Sequence, residues 1–263
     1  MGLAFIYIPL IVIAIYAFNA SAILKWPPSG LTLDWFSRAF HDSAARDALW
    51  TSVRVGLVAT ATALLLGTLA SMAVARHRFF GRETVSFLVI LPIALPGIVT
   101  GVALSNTFTQ VLGVRLSLLT VIVGHATFCI VVVYNNVIAR LRRMSGSIEE
   151  ASADLGADPW QTFRYVTLPT MRTALVAGGL LAFALSFDEI IVTLFTIGSQ
   201  KTLPIWIFEN LFRPNELPVV NVVALTLILL SMIPVYLAHR LTREEEGAAG
   251  TRGPVLREAT AEP

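Results

Sequence analysis

Six stretches of this chain are apolar over lengths close to the thickness of a bilayer, and nothing else in the sequence constrains the fold as much. They run roughly Leu3–Leu24, Leu49–Ala75, Val85–Leu112, Ser117–Ile138, Thr173–Ile197 and Val219–Ala238. A helix needs about 20 apolar residues to cross the hydrocarbon core, so the expected fold is an all-α membrane protein of six transmembrane helices. Composition agrees: 56% of the 263 residues are hydrophobic and 14% charged, where a soluble domain carries about a quarter charged residues. That leaves one membrane domain, expected over 1–241, and little room for a second, soluble one. From Thr242 the chain turns charged and rich in Gly, Ala and Pro, so 242–263 is expected to be a disordered tail.

The first run is read as a span and not as a signal peptide. It has no basic n-region and no small-residue cleavage site, and its apolar stretch is too long. Orientation follows from the basic residues. With both termini on one side, that side holds Arg76, Arg78, Arg82, Arg140, Arg142, Arg143, Arg164, Arg172, Arg240, Arg243, Arg252 and Arg257, 12 in all. The other side holds six, with Arg54 left inside the second run. The positive-inside rule therefore places both termini and the long loop 139–172 in the cytoplasm. Trp26, Trp50 and Trp206 fall near the outer boundary, where interfacial aromatics are expected. The single cysteine, Cys129, lies in an apolar run and reads as a small buried hydrophobe, with neither a disulfide framework nor a thiolate metal site available.

Within the third run, Pro92 and Pro96 remove backbone donors, so this span is expected to be kinked or broken. Gly97 and Gly101 permit close helix approach there. A pathway wall and simple packing are both compatible with that pattern.

The loop 139–172 contains two helix starts. Ser147 with Glu150 matches a capping box, and Gly156 fits a left-handed helix stop. Asp158 with Gln161 matches a second box, Pro159 sits at the first helical position, and Pro169 is expected to end that second helix. Helices of this length are marginal alone in water, so something must pack on them. Trp160, Phe163 and Val166 at three-residue spacing, with Tyr165 and Leu168 beside them, could face the membrane domain or a separate partner. Capping and spacing leave both open.

The run Glu150-Ala151-Ser152, three residues, Gly156, nine residues, Val166-Thr167-Leu168-Pro169 resembles the EAA loop of permease subunits in binding-protein-dependent ABC importers. Ser152 and Val166 stand where that family prefers Ala and Ile. The stretches Leu91–Gly101, Val123–Phe128 and Leu185–Thr193 are similar to the second permease of spermidine/putrescine-type systems, so the resemblance covers essentially the whole chain. It implies a type I ABC importer permease fold in a bacterial inner membrane. The partners it implies are two ABC ATPase subunits, a periplasmic solute-binding protein and a sister permease forming a heterodimer. It also implies ATPase coupling through Glu150, Ala151, Ser152, Gly156, Trp160, Phe163, Leu168 and Pro169.

The chain lacks the G-x-x-x-x-G-K-[ST] phosphate loop, H-E-x-x-H and G-x-S-x-G. It is therefore expected not to be an enzyme, to hold no cofactor or metal, and to leave ATP and Mg to a partner subunit. Nothing in the charge pattern points to nucleic acid.

Ionisable residues inside spans are functional candidates, because a charge in lipid costs at least about 2.5 kcal/mol. Asp188 and Glu189 lie about 24 Å along the fifth run, about 100° apart if that run is one helix. Glu189 would share a polar stripe with Ser186, Thr193, Thr196 and Gln200, and is expected to face the translocation pathway with Ser186 and Thr193. Asp188 is expected to pair with another buried group, Arg54 being one option, or to stay protonated. His125, Asn135 and Asn136 are expected to bond between helices. A carboxylate in the pathway favours a cationic solute, in agreement with the polyamine resemblance. An amino acid, 4-aminobutyrate, an opine or ferric iron remain alternatives, as does a proton-coupled secondary transporter. The absence of a visible internal repeat speaks against the last.

Overall fold

Prolines, caps and small-residue faces divide the chain into twelve α-helices among the described residues. The protein's structure, a computed structural model, describes residues 2–23, 25–213 and 216–250, and their side chains except at 2–4, 6 and 242–250. The helices are α1 (Gly2–Ala17), α2 (Asp34–His41), α3 (Ser43–Arg76), α4 (Arg82–Ala94), α5 (Gly97–Asn106) and α6 (Leu118–Arg143). They continue as α7 (Ser147–Asp154), α8 (Pro159–Thr162), α9 (Leu168–Phe187), α10 (Ile191–Thr196), α11 (Leu203–Asn210) and α12 (Leu217–Gly250). Of the tail expected to be disordered, 242–250 is instead helical, continuing α12 as far as Gly250, and 251–263 lies outside the described residues.

The expected spans differ in kind. Four helical stretches are long and apolar enough to cross a membrane: Ser43–Arg76, Leu118–Arg143, Pro159–Phe187 and Leu217–Leu241. The third run is broken, as its prolines predict: α4 and α5, with a π-helical extension to Val111, meet at 106°. Leu95, held extended (φ −84°, ψ 145°), ends α4, because the residue before a proline is pushed out of the helical region. Helix α1 has 16 residues, about 24 Å, and is shorter than a perpendicular crossing requires.

Helices α3, α6 and α9 pack together around Ala63, Cys129, Val133, Val137, Met171 and Ala182. Cys129 is fully buried and donates to the Ala182 carbonyl, a small core residue as expected. The Ser71 hydroxyl is shared between the Gly67 carbonyl of α3 and the Tyr134 carbonyl of α6, while Tyr134 and Ser86 join hydroxyls at 2.8 Å to hold α4. Such polar links supply cohesion where lipid offers no hydrophobic drive between helices.

At the end opposite the basic loops, Ala17, Trp35, Ala48, Trp206, Val219 and Val223 form a second core. Trp206 is therefore buried in protein and is not an interfacial anchor, because α11 folds back between α3 and α12. Trp26 and Trp50 are exposed, and the Arg54 guanidinium lies over the Trp50 ring at 5.4 Å. Arg54 is thus satisfied by a neighbour on its own helix and forms no ion pair with Asp188.

Candidate functional site

The basic end carries a short helical unit built from local signals. Helix α7 closes with the full Schellman pattern. Gly156 takes φ +85°, its N–H reaches the Ala153 carbonyl at 2.9 Å, and the Ala157 N–H reaches Ser152 at 3.2 Å. The second capping box forms with both arms, Gln161 N–H to Asp158 at 2.8 Å and Asp158 N–H to Gln161 at 2.9 Å. The Ser152 and Thr162 hydroxyls meet at 3.1 Å and tie α7 to α8.

Two expectations fail here. The Ser147/Glu150 box does not form: Ser147 is already helical, Gly146 is the N-cap, and the Ser145 hydroxyl takes the Ser147 N–H. Nor does Pro169 stop the second helix. A π-helical turn over Phe163–Thr167 lets the Leu168 N–H reach the Phe163 carbonyl, and the chain runs on into α9. The extra residue in that turn accommodates the donor and space that proline denies an ordinary α-helix. The fifth span therefore projects unbroken beyond the bundle to Pro159.

The residues implicated by the resemblance divide between two faces. Glu150, Ala151, Gly156 and Trp160 are exposed. With them stand Ile148, Leu155 (90% exposed) and Tyr165 (70%), so the outward face of α7 carries apolar side chains at i, i+3 and i+7. Ser152 turns inward to Thr162. Phe163 and Leu168 line the groove between α3, α9 and α12, so they face the bundle and not the outward surface, while Pro169 is exposed at the start of α9. Trp160 and Phe163 still touch, ring centroids 5.6 Å apart.

One residue that the motif did not single out anchors this unit. Glu149 is half-buried; its Oε1 accepts from Arg76 Nη2 at 3.0 Å and from the Thr167 hydroxyl at 2.9 Å, and Arg76 Nε lies 3.0 Å from Oε2. The sequence did carry a signal: Glu149 and Ala153, one turn apart, lie on a face of α7 other than that of Ala151 and Leu155.

The fifth run carries the second cluster. It stops being helical at Phe187, and α10 begins at Ile191. The polar stripe drawn on a continuous helix therefore does not exist as a stripe. Ser186 and Thr193 are buried against His125 and do not line open space. His125 Nδ1 is 2.7 Å from Ser186 and Nε2 is 2.8 Å from Thr193. Thr193 also donates its one hydroxyl proton to the Glu189 carbonyl at 2.8 Å. The arrangement that satisfies every group has Nε2–H donating to Thr193 and Nδ1 accepting from Ser186. Asn136 bonds within its own helix, to the Val132 carbonyl.

The two acids exchange the places expected of them. Glu189 is half-buried, and its Oε1 accepts the Val192 N–H at 2.9 Å, capping the first turn of α10. Asp188 is exposed and opens on a cleft of about 520 Å³ with Ser231, Met232, Tyr236 and His239 of α12. Helix α10 in turn packs on α5, where Gly101 leaves room for the Phe195 ring; a Cβ at Gly101 would lie 2.8 Å from it. Among the described residues, no group of three or more His, Cys, Asp or Glu is placed to hold a metal ion.

Residues 63–244 match the family of binding-protein-dependent transport system inner membrane components. The chain is 34% identical over 237 residues to the putrescine transport system permease protein PotI of Escherichia coli (strain K12), covering 87% of this chain and 83% of that one. It is 33% identical over 243 residues to the spermidine/putrescine transport system permease protein PotC of Haemophilus influenzae, covering 92% and 93%. It is also 32% identical over 235 residues to the putative 2-aminoethylphosphonate transport system permease protein PhnV of Salmonella paratyphi A, covering 88% and 86%. Among solved structures, the fold is similar to a bacterial alginate ABC transporter bound to its alginate-loaded periplasmic protein. That match has TM-score 0.68 at 15% identity over 92% of this chain and 90% of that one. An inward-facing MetNI methionine ABC transporter matches with TM-score 0.61 at 19% identity over 76% and 94%.

Proposed function

The chain belongs to the family of binding-protein-dependent transport system inner membrane components, and we propose that it is the permease subunit of an ATP-driven importer of polyamines such as spermidine or putrescine. A periplasmic binding protein delivers the solute, and a separate ATPase pair drives its passage. The segment α7–α8 lies in the cytoplasm with both termini and docks on the ATPase through Ile148, Glu150, Ala151, Leu155 and Trp160.

The observation that carries the solute class is Asp188. A carboxylate exposed on this face of the bundle cannot face lipid without a cost of at least about 2.5 kcal/mol. Water and a second permease must therefore cover it, and a sister chain supplies that cover. In the water-filled path so formed, Asp188 attracts a protonated amine, with Ser231 and Tyr236 opposite it as hydroxyl and aromatic partners. Glu189 holds the break in the span and leaves Asp188 free to meet the solute.

The test has two parts. The cognate binding protein is titrated with spermidine, putrescine, amino acids and 2-aminoethylphosphonate, and the polyamines are expected to bind tightest. In reconstituted uptake, Asp188→Asn is expected to lower polyamine transport about tenfold, the scale of one lost charge-assisted hydrogen bond. A binding protein blind to polyamines, or an Asp188→Asn permease with normal uptake, removes the polyamine reading. The relative that carries 2-aminoethylphosphonate in its name keeps one second reading in view, another small amine carried by the same architecture.

A further inference from the structure

Behind the docking unit lies a cleft of about 400 Å³, walled by Met72, Arg76 and His77 of α3 and the turn after it on one side, and by Glu149, Ala153 and Phe163 on the other. The unit α7–α8 is therefore not packed flush on the bundle. It stands off, and Glu149 crosses the gap.

What Glu149 joins is specific. Arg76 is the last residue of α3, the second span; its Nη2 donates to the Glu149 carboxylate at 3.0 Å, and its Nε lies 3.0 Å from the other carboxylate oxygen as an ion pair. Thr167 is the last residue of the π-helical turn, where the cytoplasmic projection of the fifth span becomes α9. It donates to the same carboxylate. One side chain of α7 thus grips the ends of two spans, while Ile148, Ala151 and Leu155 on the opposite face remain open for docking. The ion pair is partly shielded, with both side chains a little over one-fifth exposed, so it is less screened than a surface pair. The π turn beside it is a local departure from the α-helical ladder, the kind of feature frequent at functional sites.

We propose that Glu149 is a positioning residue for coupling: it transmits displacement of the docking unit to the second and fifth spans through Arg76 and Thr167. This rests on the reading of α7–α8 as the ATPase dock. Glu150 and Leu155 meet the ATPase, and Glu149 passes the push inward.

The experiment uses the whole reconstituted complex and reads three quantities: ATPase subunits retained, ATP hydrolysed, and solute imported. Glu149→Gln is expected to keep the ATPase bound and hydrolysing while solute imported per ATP falls about tenfold, within the usual range of coupling between sites. Thr167→Val, which cuts only the link to the fifth span, is expected to give a smaller loss of the same kind. The exchanged pair Arg76→Glu with Glu149→Arg is expected to recover part of the ratio, which ties the loss to the Arg76–Glu149 contact, while retained ATP hydrolysis separates it from a merely structural role. An unchanged ATP-to-solute ratio in Glu149→Gln overturns the proposal. So does loss of ATPase binding in that variant, since it would place Glu149 on the dock itself. Leu155→Asp separates the two readings: if the ATPase still assembles with it normally, the docking reading fails whatever Glu149 does.

Discussion

The third and fifth apolar runs are both interrupted inside the bundle, and they are interrupted for opposite reasons. In the third, Pro96 pushes Leu95 out of the helical region and α5 leaves α4 at 106°. The cause is covalent and sits within two residues. The fifth breaks at Asp188–Ile190 with no proline or glycine in the gap. There the break is held by side chains distant in sequence. His125 bonds Ser186 before the gap and Thr193 after it, and Glu189 caps the helix that restarts. A covalent break survives changes in its surroundings. A break made of hydrogen bonds depends on each of them, and this one exposes the acid assigned to the pathway.

This contrast gives predictions in descending order of effect. His125→Leu removes a side chain bonded on both sides of the fifth-span gap and takes away the partner of the buried Ser186 hydroxyl, while Thr193 keeps its bond to the Glu189 carbonyl. It is expected to destabilise the protein by about 2 kcal/mol, read as a lower unfolding midpoint in detergent, and to abolish most uptake. Normal stability and uptake would mean the gap is held by something else. Pro96→Ala acts on the covalent break alone and is expected to cost about 1 kcal/mol or less. Spin labels on α4 and α5 should report a broader distance distribution as Leu95 becomes free to join the helix; an unchanged narrow distribution would place the cause of the bend in the packing of α5 on α10. Glu189→Gln keeps an oxygen to accept the Val192 N–H, so its stability change should stay within about 0.5 kcal/mol. Uptake should fall far less than in Asp188→Asn, and the reverse ranking would return the pathway role to Glu189.

The same contrast explains what could be read from the chain before its structure. Features with a cause inside a few residues were legible: the Pro96 break, the Gly156 turn, the Asp158/Gln161 box. The Ser147 box failed because a neighbour, Gly146, took the cap position, a competition that spacing alone does not decide. Pro169 did not end the helix because a π turn over Phe163–Thr167 absorbed it. Glu189 and Asp188 differ in exposure from what was expected because the helical stripe assumed a continuous helix, and the break that removed it is bonded to His125, 61 residues before Ser186. Trp206 followed the same rule, its burial decided by how α11 folds back. Glu149 was overlooked because its partner Arg76 lies 73 residues away. Apart from the Ser147 box, local chemistry was legible and long-range pairing was not, which is why the shape of the α7–α8 unit could be expected and its attachment could not.

The central claim is that this chain passes an amine solute only when an ATPase drives it from the α7–α8 side. The most direct test is uptake of labelled spermidine or putrescine into proteoliposomes holding the full complex, with binding protein outside and ATP inside. The account predicts accumulation that requires ATP hydrolysis and is lost with Gly156→Asp, whose side chain resists the left-handed turn and adds charge at the dock. Accumulation that persists without ATP or without the ATPase subunits would contradict it.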